Sequence, residues 1–231
     1  MIKEDREFQS DLGIIKKEQM ERATIGDTLI THLNKEFRVI KPNVNDFIEL
    51  MERRCSILVQ KDIGNVLAKT GLGAGCRVVD AGTGAGAIAL NFANVVGEKG
   101  RVFTYEIRED FAEVAQRNID NFGINNIVVK NKDIKEGIDE QEIDLIFLDL
   151  PKPFEIFEDV YKSLRLGGWL VVYAPYIDQA EVAYRIAKKL GFKDLSISEI
   201  LERELEVRPQ GTRPKTRMVG HTGYMVFARK L

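Results

Sequence analysis

Residues Val78-Val79-Asp80-Ala81-Gly82-Thr83-Gly84-Ala85-Gly86-Ala87 decide how this chain is read. An apolar run closes on three glycines spaced two apart, and the apolar-periodic segment 88–96 follows, which predicts strand, tight turn and helix. Without a Cβ, the glycines let the backbone bend sharply and approach a ligand closely. A dinucleotide fingerprint sets its third glycine five residues after the first, so that a pyrophosphate can rest on the helix N-terminus. Here the third glycine falls after four, at Gly86, and an acidic residue, Asp80, stands just before the first.

That variant is the usual form in enzymes that use S-adenosylmethionine (SAM); another nucleotide and a merely tight strand–helix turn are the competing readings. Outward from the loop, strand and helix patterns alternate. Strands are predicted at 77–80, 101–106, 127–130, 143–149 and 169–174, and helices at 87–96, 109–122, 154–164 and 179–190. Such alternation argues a parallel sheet with helices on both faces. Segments 195–207 and 222–229 are both β-like with no helix between them, so they are expected to pair antiparallel at one edge. The expected fold is α/β, a Rossmann-like sheet of seven mostly parallel strands.

Ahead of it, residues 1–42 mix short extended segments, 27–32 and 36–40, with polar turns and end at Pro42, which predicts a small β-rich N-terminal module. The catalytic domain then spans 43–231. It opens with a helix presenting Val44, Phe47, Ile48 and Met51 on one face, capped by Asn43, and a second helix covers 62–69.

Ligands of open α/β sheets bind beyond the carboxyl ends of the strands. Those ends are acidic here: Asp80, Glu106, Asp133 and Asp149. Glu106 is placed to accept both hydroxyls of a ribose. Asp133 is placed to accept from an adenine amino group while Ile134 offers backbone or apolar contact. Asp80 is expected to brace the glycine loop by bonding its backbone N–H groups. Asp149 opens Asp149-Leu150-Pro151-Lys152-Pro153-Phe154, whose two prolines hold the segment extended and mount the carboxylate on a stiff arm. Helix capping and turn formation are the bland alternatives for all four acids.

Composition narrows the classes. No apolar run approaches the ~20 residues a membrane span needs, and the N-terminus lacks signal-peptide character, so a cytoplasmic protein is expected. Cys55 and Cys76 lack metal-ligand spacing and read as buried fillers, and no metal is expected. The formal net charge of -2 argues against a general nucleic-acid binder, but its distribution does not. No acid occurs from Val207 onward, where Arg208, Arg213, Lys215, Arg217, Arg229 and Lys230 stand, and a second basic group runs through Lys35, Arg38, Lys41, Arg53, Arg54 and Lys61. A surface so polarised can steer a polyanion to one face.

The chain resembles the tRNA (adenine-N1)-methyltransferases of the TrmI type, archaeal branch. The marks are Arg6-Glu7-Phe8-Gln9-Ser10-Asp11-Leu12-Gly13, Gln60-Lys61-Asp62, Tyr105-Glu106-Ile107-Arg108-Glu109-Asp110-Phe111-Ala112, Leu148-Asp149-Leu150-Pro151-Lys152-Pro153 and, after Arg213-Pro214, Met218-Val219-Gly220-His221-Thr222-Gly223-Tyr224. The resemblance implies a class I SAM-dependent methyltransferase acting on N1 of adenine in the tRNA T-loop, at position 58 and also 57, and a homotetramer. It implies SAM contacts at Gln60, Asp80, Gly82, Gly84, Ala85, Gly86, Ala87, Glu106, Asp133, Ile134 and Asp149. Asp149 would be catalytic, accepting from the adenine amino group and stabilising the cation that forms. The base must leave its pairing and enter a pocket, with Tyr105, Phe154 and Tyr176 as stacking candidates. Pro151, Phe154, Arg213, Lys215, Arg217 and His221 would meet RNA, His221 alternatively being structural. Two features depart from the family: the N-terminal module is shorter than usual, and Phe154 stands where many relatives have tryptophan. Rival readings are a nicotinamide oxidoreductase, a SAM methyltransferase of a small molecule or protein, and a catalytically silent RNA-binding subunit.

Overall fold

The structure is a computed structural model and describes residues 7–231; Arg6 of the first family mark, and the terminus read as lacking signal-peptide character, lie outside the described residues. Two compact units divide between Met51 and Glu52.

In the N-terminal unit, β1 (Phe8–Ser10) pairs antiparallel with β2 (Gly13–Ile15), and helix α1 (Lys17–Glu21) follows. Next, β3 (Thr28–Ile30) pairs with β4 (Glu36–Arg38). The buried Thr31 hydroxyl donates to the Leu12 carbonyl at 2.8 Å and joins the two hairpins. Helix α2 (Val44–Leu50) starts where Asn43 accepts the Asn45 and Asp46 N–H groups while the Asp46 carboxylate accepts the Asn43 N–H, a closed capping box. The unit runs past Pro42 and takes in α2.

The second unit begins irregularly and reaches α3 (Gln60–Thr70). Then come β5 (Arg77–Ala81), α4 (Ala87–Val96), β6 (Arg101–Tyr105), α5 (Glu109–Phe122), β7 (Ile127–Lys130), β8 (Ile143–Leu148), α6 (Phe157–Ser163), β9 (Leu164–Ala174), α7 (Ile177–Lys189) and β10 (Lys193–Ser198). The chain closes with β11 (Leu205–Arg208), β12 (Gly211–Pro214) and β13 (Tyr224–Arg229). Seven strands form one sheet in the order β10-β13-β9-β8-β5-β6-β7, and only β13 runs against the rest.

Strand alternation sends successive side chains to opposite faces, and both faces are covered, so the inner strands are largely apolar, with Asp80 and Thr104 as buried polar exceptions. On one face Val79, Ile146, Leu148, Val172 and Val226 pack with Phe157, Val160, Ala180 and Ala183 of α6 and α7. On the other, Val78, Leu145, Phe147, Val171 and Phe227 pack with Val66, Ala89, Phe92 and Ala93 of α3 and α4.

Two expectations are corrected. The stretch 195–207 is not one strand: β10 ends at Ser198 and β11 forms a separate exposed hairpin with β12. Glu199, Glu202, Arg203 and Glu204 break the alternation that a half-buried strand needs. The expected antiparallel pair does form one edge of the sheet, with β10 outermost and β13 between it and β9. Helix α6 ends at Ser163 and β9 starts at Leu164, absorbing Gly167 and Gly168 as an irregularity. Gly168 permits this close approach, since a Cβ there would stand 2.7 Å from the Ile143 carbonyl oxygen.

Strand order reverses between β5 and β8, and there the chain is most tightly constrained. The Asp149 N–H donates to the Ala81 carbonyl at 2.9 Å. Gly82 has φ +94°, and a Cβ on it would run into the Asp149 carbonyl. Replacing Gly82 by alanine therefore meets both a strained backbone and a backbone clash. We predict that Gly82→Ala destabilises the fold by about 2 kcal/mol or more, lowering Tm by roughly 4–8 °C in thermal unfolding. An unchanged midpoint would contradict this packing.

Candidate active site

A cavity of about 390 Å³ opens at the carboxyl ends of β5, β6 and β8, where the strand order reverses. Of the residues singled out in the sequence, Gly82, Gly84, Ala85, Ala87, Glu106, Asp149 and Pro151 line it. The loop between β5 and α4 is held by three consecutive residues of the neighbouring strand end. The Tyr105 carbonyl accepts the Gly82 and Thr83 N–H groups at 3.1 and 3.2 Å. The Glu106 carboxylate accepts the Gly84 N–H at 3.0 Å and, through its other oxygen, the Arg108 N–H at 3.1 Å. Thr104 Oγ1 lies 2.6 Å from Thr83 Oγ1.

Asp80 does not bond backbone N–H groups as expected. It is 1% exposed and accepts the Thr104 hydroxyl at 2.6 Å. The register pairs Asp80 with Thr104 across β5 and β6, so the carboxylate meets a hydroxyl on the strand beside it before it can reach the loop backbone. Burial lifts its carboxyl to about 7, against the Thr104 hydrogen bond, which lowers it; the charges of Asp149 and Glu106 add to the rise. Asp149 is exposed to water on the cavity wall, yet protein crowds it on most sides, and that desolvation raises it to about 6.

The other expected residues lie elsewhere. Gly86 starts α4 at φ +88° and packs against Ala115. Gln60 is exposed at the start of α3. Asp133 caps the short 3-10 turn Ile134–Glu136 by accepting the Lys135 N–H at 2.9 Å, and Ile134 is buried in the core. Phe154 packs against that core from the 3-10 turn Pro153–Ile156. Tyr105 is buried too and hydrogen-bonds Glu140 at 2.5 Å, so its ring is no stacking platform; Tyr176 is exposed.

A second cavity, about 520 Å³, is lined by Lys61, Lys215, Arg217 and Thr222 among others. Lys61 bridges the buried Asp62 at 2.8 Å and the Thr222 hydroxyl at 2.7 Å. Lys215 pairs with Glu204, while Arg213 and Arg217 are exposed and form no ion pair among the described residues. His221 joins Glu199 at 2.6 Å to the Pro175 carbonyl at 3.0 Å. With an acceptor at each ring nitrogen the imidazolium is favoured, chiefly by Glu199, and its pKa is raised.

Sequence reasoning missed part of the wall: residues 55–58, Thr83, Ile107, Arg108 and Leu150. Cys55 is corrected from a buried filler to a half-buried wall residue, its Sγ 2.8 Å from where a Cβ on Gly84 would stand. No motif marks 55–58; its position ahead of α3 is the only signal. Among the described residues no group of three His, Cys, Asp or Glu could hold a metal ion, and no helix is long and apolar enough to cross a membrane.

The family model described as the tRNA methyltransferase complex GCD14 subunit matches residues 38–213. The tRNA (adenine(57)-N(1)/adenine(58)-N(1))-methyltransferase TrmI of Methanocaldococcus jannaschii is 37% identical, over 96% of this chain and 87% of its own. The crystal structure of the tRNA (m1A58) methyltransferase TrmI from Aquifex aeolicus superposes with a TM-score of 0.83 at 29% identity, covering 98% of this chain and 89% of that one. A SAM-dependent O-methyltransferase from Thermotoga maritima gives a TM-score of 0.91 at 32% identity, covering 100% and 87%.

The buried carboxyl has a consequence for stability. Asp80 titrates at about 7 when folded against an ordinary 3.8, so between those values the folded chain binds more protons than the unfolded one. Stability then falls as pH rises through that window. We predict that Asp80→Asn removes the part of this slope nearest neutrality, as read from urea midpoints between pH 5 and 8. A slope identical to wild type would show that Asp80 ionises normally.

Proposed function

The chain belongs to the family of the tRNA methyltransferase complex GCD14 subunit, and we propose that its 390 Å³ cavity holds SAM while Asp149 grips the adenine to be methylated. It is a SAM-dependent tRNA (adenine-N1)-methyltransferase of the TrmI type. The observation that carries the site assignment is the position of Asp149, mounted on the cavity wall against the glycine loop where strand order reverses.

The residues present fit such a donor. Gly82 and Gly84 leave a wall where a Cβ would strike Asp149 or Cys55, so the backbone itself can border the ligand. Glu106, already fixed by two backbone N–H groups, keeps lone pairs for the hydroxyls of a ribose. Asp133 keeps one carboxylate oxygen free of hydrogen bonds among the described residues and, with Ile134, is assigned the adenine end of the donor. SAM supplies a methyl group activated by its sulfonium. The protein's share is alignment and exclusion of water.

N1 of neutral adenine is a weak nucleophile, and methylation leaves a cation. The Asp149 carboxylate accepts from the exocyclic amino group, raises electron density on the ring and lies close to the charge as it forms. The rigid Pro151 and Pro153 fix its approach. Only the ionised carboxylate does this, so turnover rises with pH through about 6, where Asp149 titrates. Arg213, Lys215 and Arg217 are assigned to RNA phosphates, and the resemblance extends the reading to a cytoplasmic homotetramer. The Thermotoga neighbour favours a second reading, methyl transfer to oxygen.

Mass spectrometry of nucleosides from tRNA incubated with SAM separates these. We predict 1-methyladenosine with wild type and about a hundredfold less with Asp149→Ala, a few kcal/mol of barrier. More than a tenth of wild-type rate in the variant would remove Asp149 from this role, and O-methylated nucleosides alone would support the second reading. A separate filter-binding series should show Arg213→Ala and Arg217→Ala each weakening tRNA binding and reducing the log–log salt slope by about 1. Unchanged slopes would place the phosphate contacts elsewhere.

A further inference from the structure

Among the buried ionisable groups the mechanism above leaves unused is Asp80, and its surroundings give it a task. Asp80 and Thr104 face each other across β5 and β6, at 1% and 0% exposure, with Thr83 at 5% beside them. Thr104 donates its only hydroxyl proton to Asp80 at 2.6 Å, so the proton in the 2.6 Å contact between Thr104 and Thr83 comes from Thr83. The charge on Asp80 thereby orients both hydroxyls. Three successive residues, Thr104, Tyr105 and Glu106, hold three successive loop residues by hydroxyl, carbonyl and carboxylate. Two of those contacts use the loop backbone and survive any side chain. The hydroxyl chain alone depends on which residues stand at positions 83 and 104.

We infer that Thr104 is a positioning residue, whose hydroxyl, set between Asp80 and Thr83, holds the glycine loop in the shape that binds the methyl donor. This rests on the SAM reading of the cavity. Thr83 stands between Gly82 and Gly84, and all three line the cavity, so the chain ends on the wall that the donor touches. Replacing Thr104 by valine keeps volume and β-branching, removes both hydrogen bonds and leaves Asp80 buried without a donor.

The test is SAM binding by isothermal titration calorimetry to wild type, Thr104→Val, Thr104→Ser, Thr83→Ala and the Thr83→Ala/Thr104→Val double variant. Steady-state kinetics on tRNA run in parallel. We expect Thr104→Val to raise the SAM Kd and KM about tenfold while kcat at saturating SAM stays within about twofold, and Thr104→Ser to restore wild-type values. Thr83→Ala, altered in the loop rather than in the sheet, should match Thr104→Val, and the double variant should be no worse than either, because the two hydroxyls act as one unit. The Thr83→Ala single variant carries the measurement should Thr104→Val fail to fold.

The pH dependence gives a readout that packing alone would not move. SAM is a cation at sulfur, so its affinity should tighten as Asp80 ionises through about 7, with Asp149 and Glu106 as the charged neighbours. In Thr104→Val that limb should move to higher pH, since the hydrogen bond lowering the Asp80 carboxyl is gone. Wild-type Kd values in both Thr104→Val and Thr83→Ala, or a Thr104→Ser variant as weak as Thr104→Val, would overturn the proposal while leaving the SAM reading intact. A wild-type protein that binds no SAM would overturn both.

Discussion

The site depends on one steric interlock. β5 and β8 are neighbours whose onward connections leave in opposite directions, and the backbone leaving each must pass the other within contact distance. The Asp149 N–H reaches back to the Ala81 carbonyl, and the next residue on the opposing chain, Gly82, presents bare backbone to the Asp149 carbonyl. A side chain at position 82 would push the two loops apart. Because they share this contact, the glycine loop and the arm of Asp149 are one rigid object, which would hold the proposed donor and acceptor sites in fixed relation. Near-attack alignment requires that kind of rigidity.

Charge follows from the same crowding. Asp80, Glu106 and Asp149 converge on a single turn of backbone, and the turn answers with N–H groups and hydroxyls. Glu106 takes backbone donors, Asp80 takes a hydroxyl, and Asp149 faces the cavity with no hydrogen-bond donor to its carboxylate among the described residues. The environments differ, and the proposed tasks differ with them: Asp80 shapes the loop, Glu106 is assigned the hydroxyls and Asp149 the base. A cavity walled by two acids, Glu106 and Asp149, with the buried Asp80 behind its glycine loop, suits a ligand that brings its own positive charge.

Much of this could be read from the chain because it is written locally. The helices at 87–96 and 109–122 and the strand at 127–130 lie where their periodicity placed them. The glycine spacing and the proline-stiffened Asp149 arm gave both halves of the cavity. What was hidden depends on partners distant in sequence. Thr104 is an unremarked strand residue until the parallel register sets it opposite Asp80. Residues 55–58 have neither motif nor regular structure, yet they close the cavity wall. Asp133 looked like a ligand residue, and the structure shows it as a cap, two readings that local pattern does not tell apart. The C-terminal basic run looked unopposed because its acids, Glu204 and Glu206, precede it: Glu206 meets Arg208 along β11, and Glu204 meets Lys215 through the β11–β12 hairpin.

The insertion of β13 between β9 and β10 dictates an order of assembly. β10 has no partner in the sheet except β13, although it is made first. Until the final strand arrives, β9 presents its open margin, with Leu170 and Val172 waiting for neighbours, and β10 has nowhere to bond. The slot is long-range and must be left vacant while α7 docks, which makes its filling a slow, late event. A nascent or stressed molecule lacking β13 therefore displays a bare strand border of the kind that recruits other chains.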